Sequence, residues 1–339
     1  MIRDLKFDNL RGFAMLLIVF CHFLQQNQFI NFFEYNFIYK FIYLFHLPLL
    51  VFVSGYFSKD NSESSVKAFR TVFIPYLIFE TLWIIYMFLI SGRVPDAAFF
   101  LPEVGLWYLL SLYFWRLFLP TATRINYIFW ISIILALFVG TLSFKAGFLS
   151  ISRTICFFPI FLLGFYFHDL KDKLVINKYL AIGILVPMLT VTTFLIMPYM
   201  TSVLGLKLSY HAMHMGNLKG VVLRLIVLSV MMSSIILIYN LMTSKETFLT
   251  KIGRNSLSVY VLQFYAIWSF PIILNYLGLS YIFNSYGLTT VYVILATILT
   301  TYILSRDKVQ EMLDILINNV TKIILKKDTI TEKISNKNS

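Results

Sequence analysis

Two imidazoles and one carboxylate stand inside otherwise apolar stretches: His22 in LLIVFCHF, His46 in LFHLPLLVF and Glu80 in YLIFETLW. Gln263, in VYVLQFYA, adds a neutral amide of the same kind. An imidazole moves protons near neutral pH, and a carboxylate beside it fixes its tautomer and raises its basicity. A second polar group at that point can donate to a developing oxyanion or shuttle the proton. Beside these stand two further sets. Arg11, Lys67, Arg70, Arg116 and Arg254 flank the apolar runs, and guanidinium groups suit phosphate oxygens. Trp107, Tyr108, Arg153 and Arg224 combine aromatic faces with cations, a lining suited to a sugar ring. Each set has a plainer reading: basic flanks occur on the cytoplasmic side of membrane proteins, and Trp and Tyr form interfacial belts.

Which of these groups can meet depends on the elements that carry them. With 59% hydrophobic and 13% charged residues in 339, an ordinary water-soluble domain is excluded. A spanning helix takes about 20 apolar residues, and unpaired backbone is too costly in lipid for anything but helices here. The chain divides into about ten helical spans, roughly 8–28, 37–57, 72–91, 104–119, 126–143, 154–168, 178–198, 218–240, 255–275 and 286–305. The fourth, fifth and sixth are short or interrupted. Of the 28 Lys and Arg, most fall on one side when both termini are cytoplasmic, which is the orientation the positive-inside rule selects. Arg3, Lys6 and Arg11 precede the first apolar run, but no small-residue cleavage site follows it, so an uncleaved first span is expected. The net charge of +12 then reflects this bias and contact with anionic lipid rather than nucleic acid. The C-terminal stretch 306–339 begins with apolar residues at helical spacing between basic ends, either a helix lying along the inner surface or a frayed tail.

At about 1.5 Å per residue, His22 lies about 16 Å, His46 about 20 Å, Glu80 about 15 Å and Gln263 about 14 Å from the inner edge. Ionisable groups so deep in lipid are expensive and mark function by default. A single such histidine is ordinarily a packing residue; two at one level with the deep carboxylate read as a reaction centre. Cys21 and Cys156 both lie in apolar runs and indicate neither a disulfide framework nor a thiolate metal site. His211 and His214 sit in a loop without further ligands, and no metal site is assigned. No phosphate loop, nucleic-acid module or internal repeat is visible.

In order along the chain, FDNLRGFAMLLIVFCH from Phe7, FHLPLLVFVSG from Phe45, RTVFIPYL from Arg70, LWYLLSLYFW from Leu106, RTICFFPIFLLGFYF from Arg153 and IGRNSLSVYVLQ from Ile252 together resemble the acyltransferase 3 family of integral-membrane acyltransferases. Within it they look most like the branch that acetylates sugars, the fucose 4-O-acetylase-like proteins. The resemblance covers about residues 3–265 and implies an all-α, polytopic enzyme of about ten transmembrane helices over residues 1–305, followed by a cytoplasmic segment 306–339. It further implies acetyl transfer from cytoplasmic acetyl-CoA to a sugar hydroxyl of an extracytoplasmic polysaccharide, in a cell membrane. Frequent Asn, Ile and Lys fit an AT-rich bacterial genome.

His22 matches the family's essential histidine and Arg11 its paired arginine. Ser54 and Gly55 match a Ser-Gly turn, and Arg70 the arginine after it. Lys67 stands where the family's Arg-x-x-Arg has its first arginine, and Gln263 where many relatives carry histidine. On this reading His22 is the general base, Glu80 or Asp8 holds its tautomer, and His46 donates to the oxyanion or shuttles the proton. Arg11, Arg70, Lys67, Ser54 and Asn255 hold the donor, while Trp107, Tyr108, Arg153 and Arg224 hold the acceptor. Direct transfer and an acyl-histidine intermediate both stay open. The competing functions are export of a glycan or lipid-linked sugar along the same polar axis, and acylation with succinyl or of a lipid or peptide acceptor. No metal or nucleic-acid partner is expected, and the oligomeric state is unassigned.

Overall fold

The structure, a computed structural model, describes residues 4–61, 63–92, 99–102, 104–142 and 147–325. Every regular element among them is a helix: α1 (Leu5–Gln25), α2 (Phe33–Tyr43), α3 (His46–Tyr56), α4 (Ser64–Ala68), α5 (Ile74–Ser91), α6 (Trp107–Ala122), α7 (Ile128–Phe138) and α8 (Ile151–Leu170). There follow α9 (Lys178–Ile196), α10 (Ser202–Gly205), α11 (Asn217–Leu241), α12 (Phe248–Arg254), α13 (Ser256–Tyr276), α14 (Tyr286–Leu304) and α15 (Asp307–Ile324), with short 3-10 turns between some of them. Among the described residues eight helices are long and apolar enough to cross a membrane, and the protein is a multi-pass membrane protein. Two of the expected ten spans fall short. α6 has 16 residues and α7 has 11, below the about 20 that a bilayer core requires. The expected short sixth span is instead complete: α8 has 20 residues, and with the 3-10 turn before it the span Phe148–Leu170 totals 23.

Local sequence explains the ends. Asp4 caps α1 by accepting from the Lys6 amide at 3.1 Å, Asn177 caps α9 through the Tyr179 amide, and Thr247 with Thr250 forms a reciprocal capping box on α12. Gly92 ends α5 at φ 65°, the left-handed conformation glycine accepts without penalty. The second span is broken at Leu44–Phe45, so that His46 opens α3. A single π-helical turn at Phe69–Phe73 carries Arg70 between α4 and α5. Such turns insert an extra residue and cluster at functional sites.

Two helix pairs cross with backbone in contact. A Cβ on Gly12 would lie 1.9 Å from the Leu249 carbonyl oxygen, and one on Gly253 1.9 Å from that of Asp8, so α1 and α12 approach as only glycine permits. The same reciprocity joins α3 to α8 through Gly55 and Gly164, each 2.0 Å from the opposite carbonyl. Ser54–Gly55 is therefore no turn: it lies inside α3, and its glycine serves the crossing. α15 packs Leu313, Ile317 and Thr321 inward, which makes it a helix rather than a frayed tail as far as Leu325; residues 326–339 of the expected segment lie outside the described residues.

Candidate active site

The last turn of α1 carries His22, half-buried at the wall of a cavity of about 400 Å³ that it shares with Gln25, Gln26, Val104, Phe264 and Trp268. Its ring meets Phe264 edge-on at 4.9 Å. α1 ends at Gln25, before the expected boundary, so His22 is nearer the far end of its helix than its distance from Arg11 alone suggested. The groups within electrostatic reach of it are His46 and Arg153. His46 bonds the Ile42 carbonyl through Nδ1 at 2.8 Å. A carbonyl only accepts, so Nδ1 carries the proton and Nε2 of the neutral ring is left as an acceptor. Neutral His46 thus has no N–H to offer an oxyanion through Nε2, which corrects that expected role. Its ring stands perpendicular to Tyr43 at 4.9 Å. Arg153 lies 4.4 Å over the Trp107 ring and donates to the Gly205 carbonyl at 3.2 Å. Tyr43, Tyr260 and Tyr39 surround it.

From this level a polar column continues to the opposite end of the bundle. Tyr260 lies 5.4 Å from Tyr108, centroid to centroid, and donates to the Gly105 carbonyl. The Tyr108 hydroxyl pairs with Ser54 Oγ at 2.5 Å and donates to Leu50 O at 3.3 Å. One turn on, Ser58 Oγ accepts from Arg116 Nε at 3.3 Å, and Arg11 lies over Phe57 at 5.1 Å. Arg11 and Arg116 both act on Tyr108. Of the expected sets, the structure thus brings together Arg11, Ser54 and Tyr108 at one end, and Trp107, Arg153, His46 and His22 towards the other. Tyr108 is a correction: expected at the outer mouth, it turns inward to Ser54.

Other expected members stand apart. Asp8 cannot hold the His22 tautomer. Both lie on the continuous α1, fourteen residues and hence about 21 Å apart, and Asp8 faces Arg254 at 4.0 Å. Glu80 is fully buried, with Tyr76 and Tyr265 among its electrostatic neighbours. Gln263 is buried, and its Nε2 donates to Tyr260 O at 3.1 Å. Arg224 is buried too: it donates to Ala136 O at 3.1 Å, to Cys156 Sγ at 3.4 Å and to Leu208 O at 3.2 Å, fastening α11 to its neighbours. The Asn255 amide donates to Ser305 O and Asp307 Oδ1, both at 2.7 Å, and so joins α13 to α15. Lys67 is exposed and Arg70 half-buried, beside the π turn. His211 and His214 are exposed, and no metal-binding cluster occurs among the described residues.

Sequence reasoning missed or underread several groups. Tyr43 and Tyr260 gave no signal, being aromatic residues in aromatic-rich spans. Gln25 and Gln26 were legible as polar residues directly after a deep histidine. Arg116 is legible only as one of the basic flanks, and Lys40 gives no signal of burial. Lys40 is in fact buried and donates to the carbonyls of Ile196, Met197 and Tyr199 at 3.2, 2.9 and 2.8 Å, closing the end of α9.

A family model described as an acyltransferase domain matches residues 4–306. The chain belongs to the acyltransferase 3 family, and it is a membrane acyltransferase. Comparisons with curated proteins and with solved structures gave no match.

Proposed function

We propose that the enzyme moves an acetyl group from cytoplasmic acetyl-CoA to a sugar hydroxyl of an extracytoplasmic polysaccharide, in a bacterial cell membrane. The observation that carries this reading is the placing of His22. It lies on an open cavity at one end of a polar column, and the other end of that column holds Arg11 and Arg116. A phosphate-bearing donor at the arginine end and a hydroxyl at the histidine end can then meet within the bundle. The fucose 4-O-acetylase-like motifs favour a sugar acceptor, and acetyl over succinyl.

His22 acts as the general base. It takes the hydroxyl proton as the oxygen attacks the thioester carbonyl; the C–S bond breaks, and the imidazolium returns the proton to the leaving thiolate. His46, with Nδ1 committed to Ile42, keeps Nε2 as an acceptor that fixes the His22 tautomer. Arg153 is the cation within reach for the tetrahedral oxyanion. Arg11 and Arg116 hold the donor's phosphates, with Arg70 and Lys67 at the same end. Residues 306–339 are a cytoplasmic appendage to the catalytic domain. A glycan exporter would need the column to open along its length. Ser54, Tyr108 and Arg116 instead bond one another or their neighbours across it, an arrangement that supports chemistry at a fixed level.

In purified protein supplied with radiolabelled acetyl-CoA and acceptor, His22→Ala lowers transfer by about 10²–10⁴-fold, the contribution of a positioned general base. Transfer at the wild-type rate would reject the assignment.

A further inference from the structure

The cavity beside His22 is lined by more than the reacting imidazole. Gln25 and Gln26 follow it at the end of α1, and Phe264 and Trp268 lie one turn apart on α13. None of the lining residues described there carries a fixed charge. Each glutamine amide both donates and accepts, as neighbouring sugar hydroxyls require, and indole and phenyl faces suit the apolar face of a pyranose. The volume, about 400 Å³, is near the lower end of the about 300–1,000 Å³ of small-molecule sites. It suits a sugar unit rather than a protein surface. Val104, on the wall, holds φ 43°, a conformation a β-branched residue adopts only where its surroundings impose it, and such positions gather at binding sites. Trp107, Arg153 and Tyr108, expected to meet the acceptor, line the bundle interior instead and are absent from this wall.

We propose that this cavity is the acceptor subsite, and that Gln25, Gln26 and Trp268 set the specificity for an uncharged, hydroxyl-rich ring whose reacting oxygen is presented to His22. The assignment rests on the acetyltransferase reading above. Among the described residues of this wall an ionised amine would find no counter-charge, which disfavours a peptide amino terminus at the reacting unit.

The test uses the full chain in proteoliposomes with radiolabelled acetyl-CoA, titrated with the polysaccharide and the lipid-linked sugar fractions of the cells that make it. Label in the organic-extractable or the polymeric fraction tells which source supplies the ring. Trp268→Ala and the double change Gln25→Leu, Gln26→Leu should each raise the acceptor concentration for half-maximal transfer by about tenfold or more, with the acetyl-CoA dependence unmoved and Trp268→Phe largely restored. An acceptor dependence equal to wild type, or equal shifts for donor and acceptor, would overturn the subsite. Failure of the wild-type protein to label any carbohydrate would instead remove the acetyltransferase reading itself.

Discussion

Arg116 combines a half-buried position with a side-chain bond to Ser58 Oγ through Nε, and its terminal nitrogens donate to none of the described residues. Replacing it with Gln keeps some hydrogen bonding and removes the charge. Charge-assisted hydrogen bonds contribute about 1.5–3 kcal/mol each, so Arg116→Gln should raise the KM for acetyl-CoA by about tenfold or more while kcat changes much less. A fall in kcat at unchanged KM would place Arg116 in the chemical step instead. The same residues show what the sequence could carry. Residue spacing along a helix gives depth, and His22 does face Phe264, the neighbour of Gln263 on α13. Spacing does not give rotation about the helix axis. Tyr108, the second residue of α6, accordingly turns inward to Ser54, which spacing alone did not announce. Arg153 and Trp107 were legible as members of one set of cations and aromatics, and the guanidinium does lie over the indole.

The elements position these side chains through two glycine crossings and two helix breaks. Gly55 and Gly164 let α3 and α8 meet backbone to backbone, and this sets where His46, nine residues before Gly55, stands relative to Arg153 on α8. Gly55→Ala would force a methyl to within 2.0 Å of the Phe161 carbonyl oxygen. Overpacking of this kind costs about 1–3 kcal/mol, so thermal unfolding in detergent should shift down by several degrees. Unchanged stability would show that the crossing can spread at no cost. The apolar runs that made the spans easy to find also hid the breaks. Leu44 and Phe45 interrupt the second span without a glycine, and nothing in their type announces it. Pro48 gives no warning either, since it lies in the first turn of α3, where its missing N–H costs nothing. The shortness of α6 was legible, whereas α8 was expected short and is long enough to span, with left-handed Leu149 and Ser150 just before it.

At the scale of the whole molecule, one end of the bundle gathers the start of α1, α12 and the start of α15. Asp8 faces Arg254 at 4.0 Å, Lys251 lies 3.7 Å from Asp307, and Asn255 spans from α13 to α15. The Asn255 hydrogen bond, with Lys251 behind it, holds the Asp307 carboxyl below its ordinary value near 3.8. A carboxylate so depressed adds stability that is fully present above the ordinary carboxylate range and is lost as pH falls through the lower, folded value. Docking of α15 should accordingly be insensitive to pH near neutrality and weaken only in strong acid. Asp307→Asn should reproduce the loosening at neutral pH, read as faster proteolysis near residue 306; equal cleavage rates in variant and wild type would dismiss the contact.

Under the proposed function, the arginines at this end and the His22 cavity at the other have donor and acceptor approach from opposite faces of the membrane. Sealed vesicles of known orientation, given labelled acetyl-CoA on one face and acceptor glycan on the other, test this directly. Label should appear on the glycan only when acetyl-CoA is supplied at the face that bears the chain termini, and His22→Ala should abolish it in vesicles that stay sealed. Equal labelling from either face, or labelling only when both substrates share one face, would contradict a reaction carried through the bundle.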